Sequence, residues 1–117
     1  MAKPPFSELM SWTLGNIMTH IQFVKLGNKP VSEITIHNEF LGEVFKEIKK
    51  NKLNLICVAK GKTHTSVYIY KYSYLKHVIN FSLGKSFNKK ILKTWINGKM
   101  FGYSDSSIND YITKNYL

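Results

Sequence analysis

A chain of 117 residues, 44% apolar and 14% aromatic, has the size of one domain and enough apolar mass for a core, which excludes a largely disordered chain. Its single cysteine, Cys57, excludes an internal disulfide framework and points to a reducing, cytoplasmic setting. The formal net charge is +10 and unevenly held: residues 46–99 carry thirteen Lys against one acid, Glu47, a balance of +12, while 1–45 and 100–117 each carry −1.

Met1-Ala2-Lys3-Pro4-Pro5 lacks the pattern of a secretory leader. Residues 6–25 then predict a helix, with Phe6, Met10, Leu14, Ile17, Ile21 and Val24 on one stripe, Ser7 as a cap and Gly27-Asn28-Lys29-Pro30 as the stop. The polar residues spread through it exclude a membrane span, and no membrane partner is expected. Val31–Ile36 alternates like a short strand. A helix over about 39–51 follows, capped by Asn38, with Phe40, Leu41, Val44, Phe45 and Ile48 inward. Lys46, Lys49, Lys50 and Lys52 gather where the helix dipole favours cations, which gives that cluster a purely structural explanation.

Leu53–Ala59 is an apolar run suited to a buried strand, with Cys57 as a packed thiol. Lys60-Gly61-Lys62 makes a turn. Thr63–Tyr72 alternates strictly, Thr65, Val67 and Ile69 on one face and Ser66, Tyr68, Tyr70 and Tyr72 on the other. The stretch 53–72 therefore predicts a β-hairpin. Ser73 is the expected cap of a helix with Leu75, Val78, Ile79 and Ser82 inward, ended by Gly84. Ser86 is the expected cap of a helix over about 87–97 with Phe87, Ile91, Leu92, Trp95 and Ile96 inward. A last helix follows Ser104. The fold class expected is α+β: an N-terminal helix, a small antiparallel sheet with a helix on one face, and a C-terminal helical cluster, all in one domain, 1–117.

A cationic segment this one-sided repels itself unless an anion is near, which is the footprint of a polyanion partner. A Lys-rich surface that only keeps the chain soluble gives the same count. All the basic side chains are Lys, with no Arg. Lys contacts phosphate as a point charge, whereas Arg is the fork that reads guanine edges. Binding is therefore expected to lean on the backbone of DNA or RNA. The abundance of Lys, Asn, Ile and Tyr also fits an AT-rich genome.

Two places could carry such binding. Around Trp95–Ile112, Gly98 would let a second helix pack close, Gly102 would turn the chain, Phe101 and Tyr103 flank the turn, and Ile108 with Tyr111 or Ile112 would face inward. This pattern resembles a helix-turn-helix. The resemblance implies Ser106, Ser107, Asn109, Asp110 and Thr113 toward a DNA groove and Lys89, Lys90, Lys93, Lys99 and Lys114 toward phosphates. Asp105 and Asp110 run against it, and an ordinary helix–glycine–helix corner gives the same spacing. The tail is also similar to the ends of small phage and mobile-element proteins. The second place is the Tyr68, Tyr70, Tyr72 face, a stacking platform if Lys60, Lys62 and Lys71 flank it, or ordinary packed tyrosines if they do not. Among the histidines, weighed as metal ligands, His37 and His64 meet only if the fold joins them, and each otherwise reads as a lone surface or boundary residue.

No metal, cofactor or catalytic set is expected. The histidines lack ligand spacing, the acids form no general acid/base pair, and no glycine-rich phosphate loop exists. Residues 96–104 are similar to the second half of the GIY-YIG nuclease motif, but the family's catalytic Arg is missing and the Glu residues lie only at 8, 33, 39, 43 and 47. The expected function is a small, non-enzymatic, basic nucleic-acid-binding accessory protein, encoded by a phage or mobile element. The alternative is a protein-binding module that uses the same basic face on the acidic surface of a host enzyme.

Overall fold

The computed structural model describes residues 6–27 and 29–117; the side chains of Phe6 and Ser7 lie outside the described set, as do Lys3 and Asn28, so the Ser7 cap and the middle of the expected helix stop fall there too. The chain is α+β. In order it runs α1 (Phe6–Lys25), β1 (Val31–His37), α2 (Leu41–Lys50), β2 (Asn54–Lys60), β3 (His64–Tyr70), α3 (Leu75–Ser82), α4 (Lys89–Met100) and α5 (Asp105–Tyr116), with a 3-10 turn at Asn38–Phe40. It divides into two compact units, residues 1–71 and 72–117.

In the first unit β3 is central, antiparallel to β1 and to β2. The alternation along β1 and β3 decides which face is covered. Ile34 and Ile36 stand beside Val67 and Thr65 across the strand pair, and these positions are buried. The apolar stripes of α1 (Ile17, Ile21, Val24) and α2 (Val44, Ile48), with Phe40 and Leu53, close over that face as one core. The sheet therefore carries two helices on one side. Each such fully buried aliphatic side chain contributes roughly 1.5–3 kcal/mol relative to exposure.

β2 departs from its apolar sequence. It lies at the sheet edge, pairs only with β3, and breaks register between Cys57 and Ala59. None of its seven residues is fully buried, and Cys57 is exposed. The run Leu53–Ala59 is thus an edge strand, and Cys57 is not a core thiol. An apolar run reports β-propensity, but strand order decides burial, and order is set by non-local pairing.

Asn38 does not cap α2. His37 caps the 3-10 turn, its Nδ1 accepting from the Glu39 backbone N–H at 3.3 Å. The Asn38 amide instead donates to the carbonyls of Gly61 and Lys62 at 3.0 and 3.1 Å, and its Oδ1 accepts from the buried Thr65 hydroxyl at 2.6 Å. It ties the 60–63 turn to the end of β1. At the other end of α2, Lys52 takes a left-handed φ of 59°, with Leu53 N bonded to Ile48 O and Lys52 N to Lys49 O, the Schellman ending in which glycine is usual.

The second unit is three helices around Tyr74, Leu75, Ile79, Ile91, Leu92, Ile108 and Ile112. Two expected caps are corrected. Ser73 makes no cap bond for α3, whose N-cap position is Tyr74. Ser86 lies too early for α4, where Asn88 accepts from the N–H groups of Lys90 and Ile91. Both serines sit within three residues of a second polar or aromatic candidate, so composition alone left the start ambiguous. Ser82 and Ile96, expected inward, are exposed. Ser104 caps α5 as expected, accepting from Ser107 N at 3.2 Å.

Candidate nucleic-acid interface

The corner between α4 and α5 is built on a close approach. A Cβ placed on Gly98 would lie 2.7 Å from both Cγ1 and Cδ1 of Ile108. Only glycine lets α5 sit this near. The turn then needs a left-handed residue, and Gly102 supplies it with φ of 80° while Tyr103 N bonds back to Gly98 O at 2.8 Å. Ile108 and Ile112 face inward and Tyr111 outward, which resolves the open choice between the last two.

This corner leaves a groove of about 470 Å³, lined by Thr94, Asn97, Gly98, Phe101, Tyr103, Ser107, Ile108 and Tyr111. Three of these are aromatic and well exposed: Phe101 at 74%, Tyr103 at 61% and Tyr111 at 53%. The polar lining comes from Thr94, whose hydroxyl is turned to Lys90 O at 2.8 Å, with Asn97 and Ser107. Sequence reasoning gave Phe101 and Tyr103 only a role in flanking the turn. The missed signal was five large aromatics, Phe101, Tyr103, Tyr111 and Tyr116 after Trp95, in a segment with little apolar core of its own to build.

The lysines of this unit sort by helical spacing. Lys90 and Lys93 precede Thr94 and Asn97 by one turn, so they continue the groove face of α4; Lys114 follows Tyr111 by three residues on the same side of α5. All three are exposed. Lys89 is exposed and lies one turn before Lys93, farther from the groove-lining positions. Lys99 is committed elsewhere: its ammonium lies 2.7 Å from Asp105 Oδ1, in a pair whose carboxylate is only 14% exposed. Asp105, which argued against phosphate nearby, is thereby neutralised within the unit. It also accepts from the buried Tyr74 hydroxyl at 3.4 Å. Burial first, and the Asp105 charge second, push that phenol far above its ordinary pKa. Ser106 and Asn109 lie away from the groove-lining positions 107 and 111, Ser106 exposed and Asn109 half-buried.

The first unit does not assemble its expected site. Lys60 and Lys62 sit at the hairpin turn, whereas Lys71 follows the far end of β3, roughly 20 Å away along a seven-residue strand. There its ammonium donates to Lys25 O, and Lys25 in turn reaches Asn51 Oδ1. The three-tyrosine platform is also broken. Tyr68 and Tyr70 share a face, but Tyr70 is buried, and β3 ends before Tyr72, whose ring stacks on Tyr74 at 6.1 Å.

The fold does bring His37 and His64 together as cross-strand partners, with ring centroids 5.0 Å apart. Among the described residues no group of three His, Cys, Asp or Glu side chains is placed to hold a metal ion. No described helix is long and apolar enough to cross a membrane.

No protein-family model, curated protein or solved structure matches this chain.

Proposed function

We propose that this protein binds nucleic acid, without catalysing a reaction, through Lys contacts to phosphate centred on α4 and α5. The observation that supports this best is the one-sided charge of the second unit. It holds seven Lys against two Asp, and the better buried of those Asp is paired internally with Lys99. Lys90, Lys93 and Lys114 then border the groove, against one exposed carboxylate, Asp110, one turn before Lys114 on α5. A polyanion relieves their mutual repulsion and releases its own counterions on binding. An origin in a phage or mobile element belongs to the same proposal.

Replacing Lys89, Lys90 and Lys93 together by Glu tests this reading. All three are exposed, so the fold is expected to survive, with an unchanged circular dichroism spectrum. Affinity for a labelled oligonucleotide at low salt is expected to fall by at least about tenfold, each lost phosphate contact removing part of the electrostatic free energy. Equal affinity of parent and variant would remove α4 from the interface.

The second reading, a module that docks on an acidic protein surface, draws on a separate observation. Met100 and Phe101 are exposed by 72% and 74%, and exposed apolar side chains in one place favour a partner with apolar as well as acidic groups. Such a complex would survive salt that strips oligonucleotide from the chain.

A further inference from the structure

We infer that the α4–α5 groove takes unpaired bases, so that the nucleic acid preferred by this protein is single-stranded. The inference rests on the nucleic-acid reading above and concerns what that same site selects.

Three features of the groove argue for it together. Phe101, Tyr103 and Tyr111 expose aromatic surface to one cleft. Tyrosine and phenylalanine that only stabilised the corner would bury their rings, and the core under this corner is already closed by Ile91, Ile108 and Ile112. Base stacking needs exposed rings and tolerates any base, because every base has a π-face. Next, the volume of about 470 Å³ is that of a cleft for a small planar group, within the roughly 300–1,000 Å³ range of ligand pockets. A duplex presents stacked bases that cannot enter it. Finally, Asn97 and Ser107 bring an amide and a hydroxyl to the lining, groups that pair with base edges, while Lys90, Lys93 and Lys114 lie at the border where the phosphates of a splayed strand would run. An apolar peptide would find the same rings, but the lysines at the border suit a phosphate backbone.

The test compares three probes of equal phosphate count by fluorescence anisotropy at low salt: an oligo-dT strand, the same strand with abasic sites throughout, and a duplex hairpin. The intact strand is expected to bind most tightly, with the bases worth between about fivefold and about 150-fold per stacked base. Phe101→Ala and Tyr111→Ala are both at exposed positions and are expected to bring the intact strand toward the abasic affinity while leaving the salt dependence as it was. Abasic and intact strands binding alike, or the duplex binding best, would overturn the stacking inference while leaving the Lys–phosphate reading standing. No binding of any probe at low salt would overturn both. Should Phe101→Ala lower the melting temperature, Phe101→Tyr, which keeps the ring, is expected to retain the parent's preference for the intact strand; its loss there would also count against stacking.

Discussion

Gly98 and Ile108 define the distance between α4 and α5: the missing Cβ of the first would occupy space held by two side-chain carbons of the second, at 2.7 Å from each. Ile108 is 3% exposed and β-branched, so it has few rotamers with which to yield. Gly98→Ala gains about 1 kcal/mol in helix propensity but overpacks the corner, which costs roughly 1–3 kcal/mol. The expected net result is a lower urea midpoint. Combining it with Ile108→Val, which removes Cδ1, is expected to cost less than the sum of the two single changes, the signature of direct coupling. Additive effects would place the clash elsewhere.

Asn38 closes the hairpin at the opposite end of the chain's logic, by side-chain bonds rather than by packing. Asn38→Ala leaves the Thr65 hydroxyl, at 1% exposure, without its 2.6 Å acceptor and frees two turn carbonyls. A loss of roughly 1–3 kcal/mol is expected in chemical denaturation. Adding Thr65→Val, which removes the stranded hydroxyl, should recover part of that loss.

Lys52 occupies a left-handed position at φ 59°, where a side chain costs roughly 1–2 kcal/mol. Lys52→Gly is expected to raise stability by roughly 0.5–1 kcal/mol once the greater freedom of unfolded glycine is discounted. Lys52→Ala, which removes the charge but keeps the strain, is expected to give no such gain. Thermal midpoints of the three proteins check this.

Stability should fall on mild acidification. Burial, and then the Lys29 charge, depress the pKa of His20, whose Nδ1 lies 2.6 Å from Ser32 Oγ. Burial, and then Lys76, depress that of His77, whose Nδ1 accepts from Asn88 N–H at 3.1 Å. Because the folded values lie below the unfolded one, the unfolded chain takes up protons first. The contribution is fully present above about pH 6.5, the ordinary imidazole value, and is lost as pH drops through the folded values. Urea midpoints measured from pH 8 down to pH 5 are expected to decline, and His77→Gln should flatten that decline. A flat parent profile would contradict the assignment.

Local periodicity carried most of the architecture. The stripe of α1, the alternation around Val67 and Ile69, and the Gly98–Gly102 corner are all written in near-neighbour spacing, and the structure has them where the spacing puts them. What could not be read required knowledge of distant partners. Cys57 is exposed because β2 is an edge strand, Lys71 is far from Lys60 because β3 lies between them, and Asn38 serves a turn 23 residues away rather than the helix beside it. The groove aromatics were hidden for a related reason: Phe101 and Tyr103 read as apolar turn flanks until the corner, closed by Gly98 and Ile108, left them outside. The same holds for the lysines. Their number was plain, but only the closed corner shows Lys99 paired with Asp105, while Lys90 and Lys93 lie one turn before Thr94 and Asn97 of the groove.

The most direct measurement is the affinity of the unmodified protein for a single-stranded oligonucleotide across a range of monovalent salt. Phosphate contacts by Lys90, Lys93, Lys114 and their neighbours predict a steep linear fall of log affinity with log salt, about 0.7 per contact on a single strand, shallower in proportion when those lysines are replaced by Gln. Absence of binding in dilute buffer, or an affinity indifferent to salt, would contradict the account.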